Sequence, residues 1–254
     1  MRVGRASALL GIVAVTACSG TTLQLRAGVP SSAPPQATAS TGRAVHTVFG
    51  RSWQGQPLDE YRIGRPTAAF RVLVVGVIHG DEAAGLSVVR ELLRSSTIGP
   101  QSELVLVPDV NPDGVARGTR QNARHVDLNR NFPFQWKPIG RPGDQQYSGA
   151  AALSEPEAKA MAALIRAVRP TVTVWFHQPV GVVDQSGGSE SVERRFAQLL
   201  GLPLKRMTRY PGSAASWQNA TWPGTTAFVV ELPRTVPQAL TARAANAIRD
   251  LTRR

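Results

Sequence analysis

The stretch Phe70–Glu82, FRVLVVGVIHGDE, decides the fold. Its first nine residues form an almost unbroken apolar run, the pattern of a strand buried on both faces. Polarity switches at His79-Gly80-Asp81-Glu82, and residues 81–95 take up helical periodicity, with Ala84, Val88, Leu92 and Leu93 on one side. A buried strand passing into a helix puts His79 and Glu82 at the strand's carboxyl end, where open α/β sheets gather their ligands. Gly80 is expected to relax the tight bend between them.

Outward from this stretch, strands and helices alternate. Glu103 to Val107 is a second buried strand, ended by Pro108 and an NPDG turn at 111–114. Ser154-Glu155-Pro156-Glu157 reads as a helix start, with Ser154 as cap and proline in the first turn, and the helix runs to Val168 before Pro170. Thr171 to Phe176 and Ala227 to Val230 are further strands. A last helix from about 237 carries Leu240, Ala244, Ile248 and Leu251. The pattern predicts one α/β domain over residues 45–254, a mixed, largely parallel twisted sheet with helices on both faces. There are no internal repeats.

His177 also falls just past a strand, TVTVWF, as His79 does. Two imidazoles and a carboxylate fill three zinc positions and leave a fourth open, which distinguishes a catalytic site from a structural one. A His and a Glu three apart, or a single His at a strand end, is common on its own. Four segments in order are not. HGDE at 79–82, Arg120 in GTRQN, DLNRNFP at 127–133 with His177, and Glu231 in FVVELP together resemble the zinc carboxypeptidases of the funnelin (carboxypeptidase A-like) family.

The resemblance implies one Zn2+ per chain on His79, Glu82 and His177, and Glu231 as the catalytic glutamate. Physical chemistry supports each role. Zinc brings the pKa of a bound water near neutrality. Glu231, closing the apolar run Ala227–Val230, can take the water proton and pass it to the leaving amine. Arg120 matches the cation beside the developing oxyanion, with Arg117 and Arg124 as alternatives if the alignment slips. Asn129 and Arg130 match the pair that binds a terminal carboxylate, for which a guanidinium fork is suited. His46 and His125 match no ligand position.

The short domain, the close spacing of NPDG, GTRQN and VDLNRNFP, and the later YPGSAASW look more like the bacterial murein peptide amidases of this family. Those enzymes cut between γ-D-glutamate and meso-diaminopimelate. This implies a peptidoglycan-stem substrate, with Asp184 a candidate for its ammonium and Tyr210 near where the digestive enzymes carry a mobile tyrosine. The competing readings are an ordinary carboxypeptidase acting on α-linked peptides, a deacylase of N-acyl amino acids, and a non-catalytic envelope-binding lipoprotein. Gln178-Pro179 after the third ligand departs from the small residues common elsewhere.

The N-terminus has a different character. Arg2 and Arg5 precede an apolar run from Ala6 to Ala17, a secretory signal too short to be a membrane-spanning helix. Val15-Thr16-Ala17-Cys18 resembles a lipobox, so residues 1–17 are expected to be removed and Cys18, the only cysteine, to be lipidated. Residues 18–44, rich in Ser, Thr, Ala and Pro, read as a flexible tether. The chain is thus expected to be exported and anchored to the outer face of the bacterial cell membrane.

The formal charge is +12. Four of the 29 basic residues precede position 45 and all 17 acidic ones follow it, leaving +8 on the domain. The arginines are scattered and no basic run is interleaved with aromatics, so nucleic acid is not an expected partner. A monomer is expected.

Overall fold

The computed structural model describes residues 40–41, 43–95 and 97–253. Cys18, the signal segment and the tether up to residue 39 lie outside them. Two strands open the described chain, Ser40–Thr41 (β1) and Val45–Arg51 (β2), followed by Pro57–Gly64 (β3) and Phe70–Val75 (β4). Next come Gly85–Arg94 (α1), Thr97–Ile98 (β5), Ser102–Val107 (β6), Pro112–Arg117 (α2) and Pro156–Val168 (α3). Val172–His177 (β7), Val180–Asp184 (β8), Glu190–Leu200 (α4) and Leu204–Lys205 (β9) lead to Ala214–Thr221 (α5), Thr226–Pro233 (β10) and Gln238–Leu251 (α6).

Eight strands form one mixed sheet in the order β2-β3-β6-β4-β7-β10-β8-β9. Its centre, β6-β4-β7-β10, is parallel throughout, while β2, β3 and β8 join antiparallel. The unbroken apolar run follows from this central position. Val72 and Val74 pack with Val88 and Leu92 of α1, Phe196 of α4 and Ile248 of α6. Leu73 and Val75 pack on the other face with Met161 and Ile165 of α3 and Trp217 of α5. The expected α/β sheet with helices on both faces is therefore present. No helix among the described residues is long and apolar enough to cross a membrane.

Several local expectations change. Ser40 and Thr41, within the stretch expected as tether, pair antiparallel with Ile98 and Thr97. NPDG is not a turn that ends a strand; it opens α2, where Asn111 Oδ1 accepts the Gly114 N–H at 3.0 Å and caps the helix. Ser154 does not cap α3. Its hydroxyl donates to Glu155 Oε1 at 2.8 Å and accepts from Asn131 Nδ2 at 3.0 Å. Pro156 at the helix start has no N–H to satisfy, which lessens the need for a cap.

Candidate active site

The adjacent parallel strands β4, β7 and β10 finish on the same side of the sheet, and their last residues deliver the polar side chains. His177 ends β7 and is in register with Glu231 of β10. Beyond β4, the Glu82 N–H donates to His79 O at 3.0 Å, closing a turn that brings both side chains round to His177. Asn111 ties this turn to the next loop, its Nδ2 donating to Ile78 O and Arg120 O, each at 3.2 Å. Gly80 serves contact rather than the expected bending. Its φ lies outside the left-handed region, but a Cβ there would overlap the backbone of Gly114 and Val115 in α2.

His79, Glu82 and His177 form a buried cluster. His79 Nδ1 and His177 Nδ1 lie 3.1 Å apart, and Glu82 Oε2 lies 3.0 and 2.8 Å from them. A tetrahedral ion with bonds near 2 Å separates its ligand atoms by about 3.3 Å, so this donor set fits zinc in size and chemistry. His79 Nε2 lies 3.0 Å from Asp127 Oδ1. That bond needs the proton on Nε2 and leaves the Nδ1 lone pair facing the cluster. Asp127 and Glu82 share Arg120, whose Nε donates to Asp127 Oδ2 at 3.0 Å and whose Nη1 donates to Glu82 Oε1 at 2.8 Å.

These contacts set the electrostatics. Burial pushes the Glu82 and Asp127 carboxyls up, but the imidazoles beside Glu82, and His79 and Arg120 beside Asp127, hold both well below the usual carboxylate range. Burial pulls the His79 imidazole down, but Asp127 and Glu82 together outweigh it, leaving its pKa raised. His177, with Glu82 as its acidic partner, stays lowered by burial. Glu231 has a buried Oε2 with no partner. Burial, reinforced by the Glu82 charge, pushes its carboxyl up to about 7.

Arg120, Asn129, Arg130, Glu231, Tyr210 and Asp184 all line the cleft beside the cluster. Arg117 is turned to Ala123 O and Arg124 to Trp53 and Glu155, so of the three only Arg120 lines the cleft. Arg130 is 5% exposed; one Nη1 donates to Asn129 O, and its Nε is buried without a partner. Burial lowers its pKa, the mark of a desolvated cation short of an anion. The Tyr210 ring lies 4.1 Å from its guanidinium carbon. Asn129 fastens α5 by accepting the Ala214 N–H at 2.9 Å, and its Nδ2 has no partner among the described residues.

Asp184 departs from the expectation of a carboxylate waiting for an ammonium. Its Oδ2 accepts from Arg209 Nη1 at 2.6 Å and from Ser186 Oγ at 2.7 Å, and its Oδ1 accepts the Met207 N–H at 2.8 Å. The charge it presents to the cleft is already matched by Arg209. Gln178 braces Glu82 and its turn: its N–H donates to Glu82 Oε2 at 3.2 Å, and its side chain bridges Ala84 N and Pro233 O. His46 pairs with Asp59 on the surface, and neither it nor His125 lines the cleft.

Three contributors escaped the sequence reading: Asn111, Asp127 and Arg209. Asp127 stood inside DLNRNFP, and the usual carboxylate behind a ligating histidine was the signal available for it. Arg209 is one arginine among many and had none.

A buried His-Glu-His cluster with a carboxylate oxygen buried and unpartnered alongside, set at the strand ends of an α/β sheet, defines a metallohydrolase. The chain belongs to the zinc carboxypeptidase family, whose description matches residues 36–192, and it is a hydrolase. Murein peptide amidase A of Escherichia coli (strain K12) is 34% identical over 182 residues, covering 66% of this chain and 74% of that protein. Gamma-D-glutamyl-L-diamino acid endopeptidase 1 of Lysinibacillus sphaericus is 27% identical over 242 residues, 73% of this chain and 60% of that one. The crystal structure of a murein-tripeptide amidase from Escherichia coli O157 superposes with a TM-score of 0.68 at 29% identity, covering 82% of this chain and 92% of that one.

Proposed function

We propose that this protein is a zinc-dependent amidase that cleaves the γ-D-glutamyl–meso-diaminopimelate bond of peptidoglycan stem peptides. The observation that carries the reading is Arg130, a buried cation with an unpartnered Nε in the same cleft as the His-Glu-His cluster. A site of that kind selects a substrate with a carboxylate near the scissile bond. The murein and γ-D-glutamyl–diamino acid specificities in the relatives' names support the choice of bond.

Zinc held by His79, Glu82 and His177 would supply an activated water at neutral pH. Glu231, with one carboxylate oxygen buried and unpartnered beside the cluster, takes the water proton and returns it to the leaving nitrogen. Arg120 faces the oxygen that becomes negative as the carbonyl is attacked. Arg130 and Asn129 hold the carboxylate of the leaving residue, under Tyr210.

We also propose export and anchoring through a lipid on Cys18.

The assay that decides compares L-Ala-γ-D-Glu-meso-diaminopimelate with α-linked peptides on the zinc-loaded protein. Higher kcat/KM on the γ-linked peptide is expected. Equal or better turnover of the α-linked set makes the protein an ordinary carboxypeptidase.

A further inference from the structure

The cleft holds three arginines, and they differ in what remains free. Arg120 is committed through Nε and Nη1 to Asp127 and Glu82. Arg130 keeps its Nε unpartnered. Arg209 spends only Nη1, on Asp184; among the described residues its Nε and Nη2 meet no acceptor. Its side chain is 34% exposed and lines the cleft.

Arg209 is also built in. Asp184 is buried, and Ser186 and the Met207 amide fix its carboxylate. Ser186 Oγ is itself placed by the Val229 N–H at 3.2 Å, two residues before Glu231 on β10. A carboxylate locked by two donors holds one nitrogen of the guanidinium and leaves the rest to the cleft. A fixed guanidinium with free donors suits an oxyanion, and a carboxylate best of all.

Resting on the amidase reading above, we propose that Arg209, positioned by Asp184, binds a second carboxylate on the leaving residue, the one at the far end of its side chain. Arg130 takes the carboxylate next to the scissile bond and Arg209 takes the distal one. The pair thereby selects a diamino dicarboxylic acid over a plain diamino acid such as lysine. Asp184 is then a positioning residue, and the cleft reads charge opposite to what a free Asp184 would read.

The test uses the full zinc-loaded chain with L-Ala-γ-D-Glu-meso-diaminopimelate and L-Ala-γ-D-Glu-L-Lys. These share the scissile bond and its neighbouring carboxylate and differ by the distal one. The wild type should favour the first by about 10- to 100-fold in kcat/KM. Arg209→Met should bring the ratio within about threefold of unity, by raising KM on the diaminopimelate peptide with kcat on the lysine peptide little changed. Arg209→Gln removes the charge but keeps a donor for Asp184, and should give the same collapse if the methionine variant does not fold. A wild type without preference overturns the assignment, as does an equal loss on both substrates in the variants. Turnover of α-linked peptides with neither γ-linked peptide cleaved overturns the amidase reading, and this inference with it.

Discussion

Glu231 closes the apolar part of β10 with one carboxylate oxygen buried and unpartnered, beside the negative charge of Glu82. Its carboxyl sits at about 7 in the fold against 4.5 ordinarily, so the folded chain binds this proton more tightly than the unfolded one. Stability contributed here therefore falls as pH rises from about 4.5 to about 7 and stays lower above. Glu231→Gln should thus melt higher than the wild type at about pH 8 in the metal-free state, and the two should converge near pH 4, read by thermal denaturation. The same variant, zinc-loaded, should retain its metal and lose about two to four orders of magnitude in kcat. Near-normal turnover would remove Glu231 from the proton transfer. At this scale, His79, Glu82, His177 and Glu231 were legible because each follows an apolar strand at a fixed order along the chain. Arg209 and the state of Asp184 were not, since an ion pair between residues 25 apart leaves no periodic trace.

At the scale of elements, the site depends on how closely the 79–82 turn lies against α2. The contact is backbone to backbone, with Gly80 against Gly114 and Val115, and Asn111 stapling both loops. Gly80→Ala must push the turn off α2 and carry His79 and Glu82 with it. Overpacking of this kind costs about 1–3 kcal/mol. A lower melting temperature should accompany weaker zinc binding by titration, and a melting loss with unchanged zinc affinity would separate Gly80 from the metal site. Gly212 offers a parallel case: its φ is +76°, and a Cβ would overlap the backbone of Arg130. NPDG misled at this level because a turn and a helix start share the same residues. Asn111 decides between them by capping Gly114.

For the whole molecule, the cluster binds three elements into one structure: the turn after β4, the end of β7 and, through Asp127, the loop before Leu128. Metal bound only by the folded state adds to its stability, about 2.7 kcal/mol at a hundredfold excess over Kd. For a domain of this size that amounts to about 5–10 °C in Tm. Chelation should lower Tm by that order and abolish turnover, and zinc should restore both. The metal-dependent gain should shrink as pH falls, because ligation needs both imidazoles unprotonated and Asp127 raises the His79 pKa. A Tm indifferent to chelator would mean that no metal is held there.

The sequence by itself determined the sheet, its two-sided core and the placing of His79, Glu82, His177 and Glu231 where apolar runs stop. Those are properties of local pattern: apolar runs of strand length, helical periodicity, and polar residues where a run stops. Only the tertiary structure decided which of three arginines faces Glu82, that Asp127 backs His79, and that Asp184 is neutralised by Arg209. Those are properties of distance between segments remote in the chain. The physical reason is that burial strongly penalises an unpaired charge, so Glu82, Asp127 and Asp184 are held by the arginines that the folded chain brings within reach.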